Sequence, residues 1–172
     1  GNGGAVRAFR SRVSWEGKTT FCDNVADVSG GALSIEDSSS VVWTGETLFC
    51  NNRVIHDGRF GGGLRGALYV HVSTISWNGT TTYMNNSAYT GGAVYADGVV
   101  NMAWRGTSNF IGNTANTNGG AVALGTDALL DLGTFGTSLT LTGNVANVAG
   151  GAVYQSGTNY GVIWNGATFR SN

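Results

Sequence analysis

Two short motifs return along the whole of this chain at nearly constant spacing, and together they decide what it can fold into. In the first, a large apolar residue is followed three positions later by Asn: Phe21 to Asn24, Phe49 to Asn52, Tyr83 to Asn86, Phe110 to Asn113, Leu141 to Asn144 and Phe169 to Asn172. In the second, a Gly pair precedes Ala and an aliphatic: Gly30-Gly31-Ala32-Leu33, Gly91-Gly92-Ala93-Val94, Gly119-Gly120-Ala121-Val122 and Gly150-Gly151-Ala152-Val153, with Gly66-Ala67 standing in for one pair. From Asn24 to Asn52, Asn86, Asn113, Asn144 and Asn172 the steps are 28, 34, 27, 31 and 28 residues. A Trp stands six residues before the aromatic at Trp15, Trp43, Trp77 and Trp104, and Phe135 and Trp164 continue that column. A period between about 20 and 50 residues marks stacked or radial repeats, in which no unit buries its apolar face alone.

The residues between the motifs say which repeat. Short alternating runs follow each Gly pair, as in Ala67-Leu68-Tyr69-Val70-His71-Val72, and others lead into the Trp and into the aromatic. Period-two alternation over a few residues, bounded by Gly and Asn, reads as short strands, and no helical period competes with it. Three short strands per turn of ~28 residues predict an all-β, parallel β-helix of about six coils, each pairing with the next at ~4.8 Å. The usual rule for parallel crossovers makes it right-handed. In this picture the Gly pair takes a corner closed to residues with a Cβ. Asn24, Asn52, Asn86, Asn113, Asn144 and Asn172 form a stacked amide ladder at another corner, where Asn tolerates left-handed backbone.

Domain organisation follows. Residues 1–172 read as one β-helix segment without caps, starting and stopping within motifs, so the expectation is a piece of a longer array or a unit that stacks end to end. Residues 53–65 break the period and are expected to loop out, carrying His56, Asp57, Arg59 and Phe60 among glycines, with His71 close by.

The motifs carry a family resemblance. Gly-Gly-Ala-aliphatic alternating with Phe-x-x-Asn resembles the repeats of the chlamydial polymorphic outer-membrane proteins, over the whole chain. The regular Trp-x-Gly element and the lack of a translocator barrel are departures from that pattern. The resemblance implies a surface-exposed β-helical autotransporter passenger with a role in adhesion.

Chemistry is sparse by comparison. With nine basic and ten acidic residues scattered to a net charge of -1, there is no electrostatic footprint for nucleic acid. No apolar run is long enough for a membrane helix, so no membrane insertion of this segment is expected. Many parallel β-helices process polysaccharides with clustered carboxylates or a Ca²⁺ site on one face. Here Asp23, Asp27, Glu36, Asp37, Asp97, Asp127 and Asp131 are spread over several units and read as solvated turns. The expectation is therefore no catalytic residue, no metal and no cofactor.

Three groups remain as candidate sites. Cys22 and Cys50 follow the aromatic in consecutive units and would lie one above the other, close enough for a disulfide in an oxidising compartment. Asn78-Gly79-Thr80 and Asn85-Asn86-Ser87 are glycosylation sequons, with Asn78 the better placed. Tyr69, Tyr95 and Tyr154 stand two residues after the motif Ala, where alternation turns them outward as a candidate surface for sugars or a partner protein. These features point to an extracellular, cell-surface stalk, adhesin or filament segment. Its expected partners are itself, end to end or laterally, further repeats of the same chain, or surface glycans and host receptors. Polysaccharide binding or processing is the alternative.

Overall fold

In the computed structural model, which describes residues 1–55, 65–98, 100–131, 138–157, 162–163 and 166–172, every named strand pairs in parallel with its counterpart in the next coil. The chain forms a parallel β-helix. The first sheet stacks Val6–Phe9, Leu33–Glu36, Leu68–His71, Val94–Asp97, Val122–Leu124 and Val153–Gln155. The second stacks Arg12–Trp15, Ser40–Trp43, Thr74–Trp77, Val100–Trp104, Ala128–Asp131 and Val162–Ile163. The third runs from Lys18–Cys22 through Glu46–Cys50, Thr81–Met84, Ser108–Ile111 and Leu139–Thr142 to Ala167–Arg170.

A fourth sheet departs from the expectation of three strands per coil. It consists of two-residue strands, Val25–Ala26, Arg53–Val54, Ser87–Ala88, Thr114–Ala115 and Val145–Ala146, lying between each Asn and the following Gly corner. Two residues cannot display an alternation, so nothing in the local sequence marks them. They are strands because the coils above and below present matching backbone groups.

Register follows the motifs. Phe21 pairs with Phe49, Phe49 with Tyr83, Tyr83 with Phe110, Phe110 with Leu141 and Leu141 with Phe169. Their rings stack inside, at 4.9, 4.8 and 4.7 Å between centroids from Phe21 to Phe110. Trp15, Trp43, Trp77 and Trp104 form a second stack at 4.8, 5.1 and 4.6 Å with nearly parallel planes. The two columns meet edge to face, Trp15 on Phe21 and Trp104 on Phe110. Such offset and edge contacts add to the burial of large rings. Phe135 and Trp164, expected to prolong the Trp column, lie outside the described residues.

Close backbone approach explains the glycines at two corners. Gly30 has φ +63°, and Gly3, Gly91, Gly119 and Gly150 repeat that left-handed corner. At the Trp-x-Gly corner a Cβ on Gly45 would run into the carbonyl of Gly17, one on Gly79 into that of Gly45, and one on Gly106 into that of Gly79. That column packs backbone directly on backbone, which only Gly permits. The interior is not wholly apolar: Trp43, Trp77 and Trp104 Nε1 and the hydroxyls of Thr47, Thr81 and Ser108 are buried without a hydrogen-bond partner among the described residues.

Candidate interaction face and its groove

The Asn ladder is a continuous hydrogen-bonded file. Asn52, Asn86, Asn113 and Asn144 are each fully buried. Asn86 Oδ1 accepts from the backbone N–H and the Nδ2 of Asn52, both at 3.0 Å. Asn86 Nδ2 donates to Asn113 Oδ1 at 2.9 Å and to the Phe49 carbonyl at 3.0 Å. The same pattern runs from Asn24 to Asn172. The left-handed residue of the corner is the one before the Asn, not the Asn itself: Asp23 at φ 59°, Asn51 at 52°, Asn85 at 54° and Gly112 and Gly143 at 62°. The amide is thereby turned inward, freed from its own turn and committed to the neighbouring coil.

Cys22 and Cys50 are register partners in the third sheet, with Cα atoms 4.6 Å apart, and their sulfurs are bonded. Asn78 and Asn85 are both exposed, whereas Asn86 beside Asn85 is buried.

The outer side of the first sheet concentrates the polar chemistry. Its register aligns Arg7, Ser34, Tyr69, Tyr95, Ala123 and Tyr154, and beside them Phe9, Glu36, His71 and Asp97. Tyr69 is only 8% exposed, so this tyrosine faces outward yet is covered, contrary to its expected place on an open patch. It lies beside Tyr95, ring centroids 6.1 Å apart and tilted by 36°. Tyr95 and Tyr154 are half-buried.

Two carboxylates expected in solvated turns are instead enclosed. Glu36 is 7% exposed and is held by Arg7, whose Nη2 donates at 2.6 Å, by Asn2 Nδ2 at 2.9 Å and by the Ser34 hydroxyl. Burial alone would raise its pKa, but the hydrogen bonds from Arg7, Ser34 and Asn2 outweigh burial and hold it below the ordinary value. Asp97 pairs with Arg65, accepts from the Tyr69 hydroxyl at 3.2 Å and meets His71 Nδ1 at 2.8 Å. Burial, reinforced by the Asp97 charge, drives the Tyr69 phenol well above the ordinary tyrosine range. Burial works against the Arg65 charge, but Asp97, then Tyr95 and Tyr69, outweigh it and raise the guanidinium pKa. The Arg65 guanidinium also sits 4.5 Å over the Tyr95 ring.

Asp97 is shared by three neighbours, and no serine or cysteine hydroxyl or thiol hydrogen-bonds the His71 ring among the described residues. His56, Asp57, Arg59 and Phe60 lie outside the described residues. Among the described residues no group of three His, Cys, Asp or Glu side chains is placed to hold a metal ion.

Beyond the network, a groove of about 240 Å³ opens over Tyr89, Thr90, Tyr95, Asn118, Tyr154 and Ser156, with Arg65 at one end. Tyr95 and Tyr154 were readable from alternation. Tyr89, Thr90 and Asn118 were not, because they come from the link between Asn and Gly corner, which carries no period. Position relative to the Gly pair could have found two of the three: Thr90 and Asn118 each directly precede a Gly pair, in adjacent units.

The sequence model of the Chlamydia polymorphic membrane protein repeat matches residues 18–36. That span covers one Phe-to-Asn corner and the Gly-pair corner after it, the two elements that the stacked coils repeat by position. No curated protein and no solved structure matches the chain.

Proposed function

We propose that this chain is a non-enzymatic repeat segment of a surface protein, a stalk, adhesin or filament segment at the cell surface that holds a rigid rod and offers lateral or end-to-end contacts. The observation that carries this reading is the unbroken register of the Asn file, in which every buried amide is spent on the next coil. Buried, satisfied polar files fix one arrangement and resist slippage. The match to a polymorphic membrane protein repeat supports surface placement. The Cys22–Cys50 bond supports an oxidising compartment.

The file is also polar along the rod: each amide accepts from the coil before and donates to the coil after. A further coil of this chain, or of a second copy, that carries Asn at this corner extends it with two hydrogen bonds. The exposed Asn78 and Asn85 leave room for glycans in a source that attaches them.

Electron microscopy of native material labelled with an antibody against the chain tests the reading. Label along surface rods or filaments with an axial repeat near ~4.8 Å supports it. Label confined to the cell interior, or polysaccharide turnover by the purified chain, overturns it.

A further inference from the structure

Three hydrogen-bonding groups converge on the groove beside the first sheet without a hydrogen-bond partner among the described residues. The Asn118 carboxamide, the Tyr95 hydroxyl and the Tyr154 hydroxyl make no hydrogen bond to the described residues, although each lines the groove and none is fully exposed. Around them stand three tyrosine rings, Tyr89, Tyr95 and Tyr154, and the hydroxyls of Thr90 and Ser156. Uncommitted amide and hydroxyl groups among aromatic faces are what a concave ligand site needs: rings to take apolar surface, and a few polar groups to fix orientation.

Charge narrows the ligand. Among the described residues the one ionised side chain lining the groove is Arg65, and its guanidinium is already paired with Asp97 and laid over the Tyr95 ring. An anionic ligand would have to compete with that carboxylate for the guanidinium. Backbone narrows it further. The strand Val94–Asp97 is paired on both sides, with Leu68–His71 and Val122–Leu124, and Val122–Leu124 is likewise paired with Val153–Gln155. Among the described residues the strands Val94–Asp97 and Val122–Leu124 have no free edge, so an extended peptide can add only at Val153–Gln155, the last strand of the sheet, and not across the groove.

We infer that the groove bounded by Tyr89, Tyr95, Asn118 and Tyr154 is a binding site for neutral oligosaccharides. The C–H face of a sugar ring packs on tyrosine, and its hydroxyls exchange hydrogen bonds with the Asn118 carboxamide and the Tyr95 and Tyr154 hydroxyls. At about 240 Å³ the groove holds only a ring or two of the chain. The site goes beyond the rod reading and does not depend on assembly: it is built within adjacent coils of one chain.

The test uses the disulfide-intact chain on an array of neutral gluco-, manno- and galacto-oligosaccharides beside sialylated and sulfated ones, followed by titration of the tightest neutral binder. The expected result is binding to neutral glycans that is indifferent to salt. Tyr154→Ala and Asn118→Ala, whose side chains are outside the core, lower that affinity about tenfold or more while keeping the wild-type circular dichroism and melting curve. Thr140→Ala, on the outer side of the third sheet, leaves it unchanged. Binding only to acidic glycans with a steep salt dependence, no glycan binding at all, or full affinity in both variants overturns the proposal. The rod reading is judged separately by particle shape in micrographs, so neither failure is mistaken for the other.

Discussion

Replacing Asn86 by Asp changes one NH₂ to O in a side chain that is fully buried, and the structure gives the cost. Oδ1 keeps its two donors from Asn52. The second oxygen, however, now faces two acceptors, Phe49 O at 3.0 Å and Asn113 Oδ1 at 2.9 Å. A protonated carboxyl supplies a donor to one of them, so the neutral variant loses one hydrogen bond, about 1 kcal/mol. The ionised form repels both acceptors in a site without water, so the folded pKa rises. The unfolded chain ionises near the ordinary ~3.9, and each pH unit above that value costs the fold about 1.4 kcal/mol until the folded pKa is passed, or ~4 kcal/mol by neutrality. The total of about 5 kcal/mol at neutral pH is comparable to the whole stability of an ordinary domain.

The assay is urea unfolding followed by Trp fluorescence from about pH 4 to about pH 7, where the ordinary carboxyl is ionised. Relative to wild type, the Asn86→Asp midpoint is expected to fall as pH rises. Asn86→Ala is the control: it orphans the Asn52 N–H, at about 1–3 kcal/mol, and takes one donor from the Phe49 carbonyl, with no titrating group, so its deficit stays flat with pH. An Asp variant within about 1 kcal/mol of wild type at neutral pH, or a deficit that does not depend on pH, would refute the buried file.

Reducing the Cys22–Cys50 bond, which closes a separation of 28 residues, is expected to cost about 3–4 kcal/mol and to lower the melting temperature measured with and without reductant. Gly45→Ala drives a Cβ into the Gly17 carbonyl and is expected to destabilise by about 2–3 kcal/mol in urea. Gly17→Ala, which meets no neighbour but sits at φ +73°, is expected to cost about 1–2 kcal/mol. Because the folded Glu36 pKa lies below its ordinary 4.5, its contribution is present above that value and disappears as acid takes the pH through the folded pKa. On acidification the wild-type melting temperature should fall more steeply than that of Glu36→Gln.

Much of the fold was legible because the sequence repeats its corners: like residues at equal spacing in a parallel stack fall on the same azimuth. Phe21, Phe49, Tyr83 and Phe110 illustrate this, as do the four stacked Trp. What the residues could not display was structure imposed from above and below. The fourth sheet has two residues per coil, and the handed turn of the Asn corner falls on Asp23, Asn51 and Asn85, which look like filler. The site was less legible for the same reason. Glu36 and Arg7 are 29 residues apart, and Arg65 and Asp97 are 32 apart, so each pair forms only once coils are in register. Scattered charges in sequence became two enclosed networks, and Tyr69 was covered by one of them. A count of acidic residues per unit misses this; a count per outer register position would have paired them.

The account rests on coils piled directly over one another, and inter-spin distances test that most directly. Thr20, Leu48, Thr82, Asn109, Thr140 and Thr168 occupy one outer register position through successive coils. Spin labels on Cys introduced at Thr20 and Thr140, four steps apart, should give about 19 Å between backbone positions, and at Thr20 and Thr168, five steps apart, about 24 Å. A gain of about one strand spacing for the added coil is the expected result. A second distance equal to or shorter than the first would contradict the stacked coils.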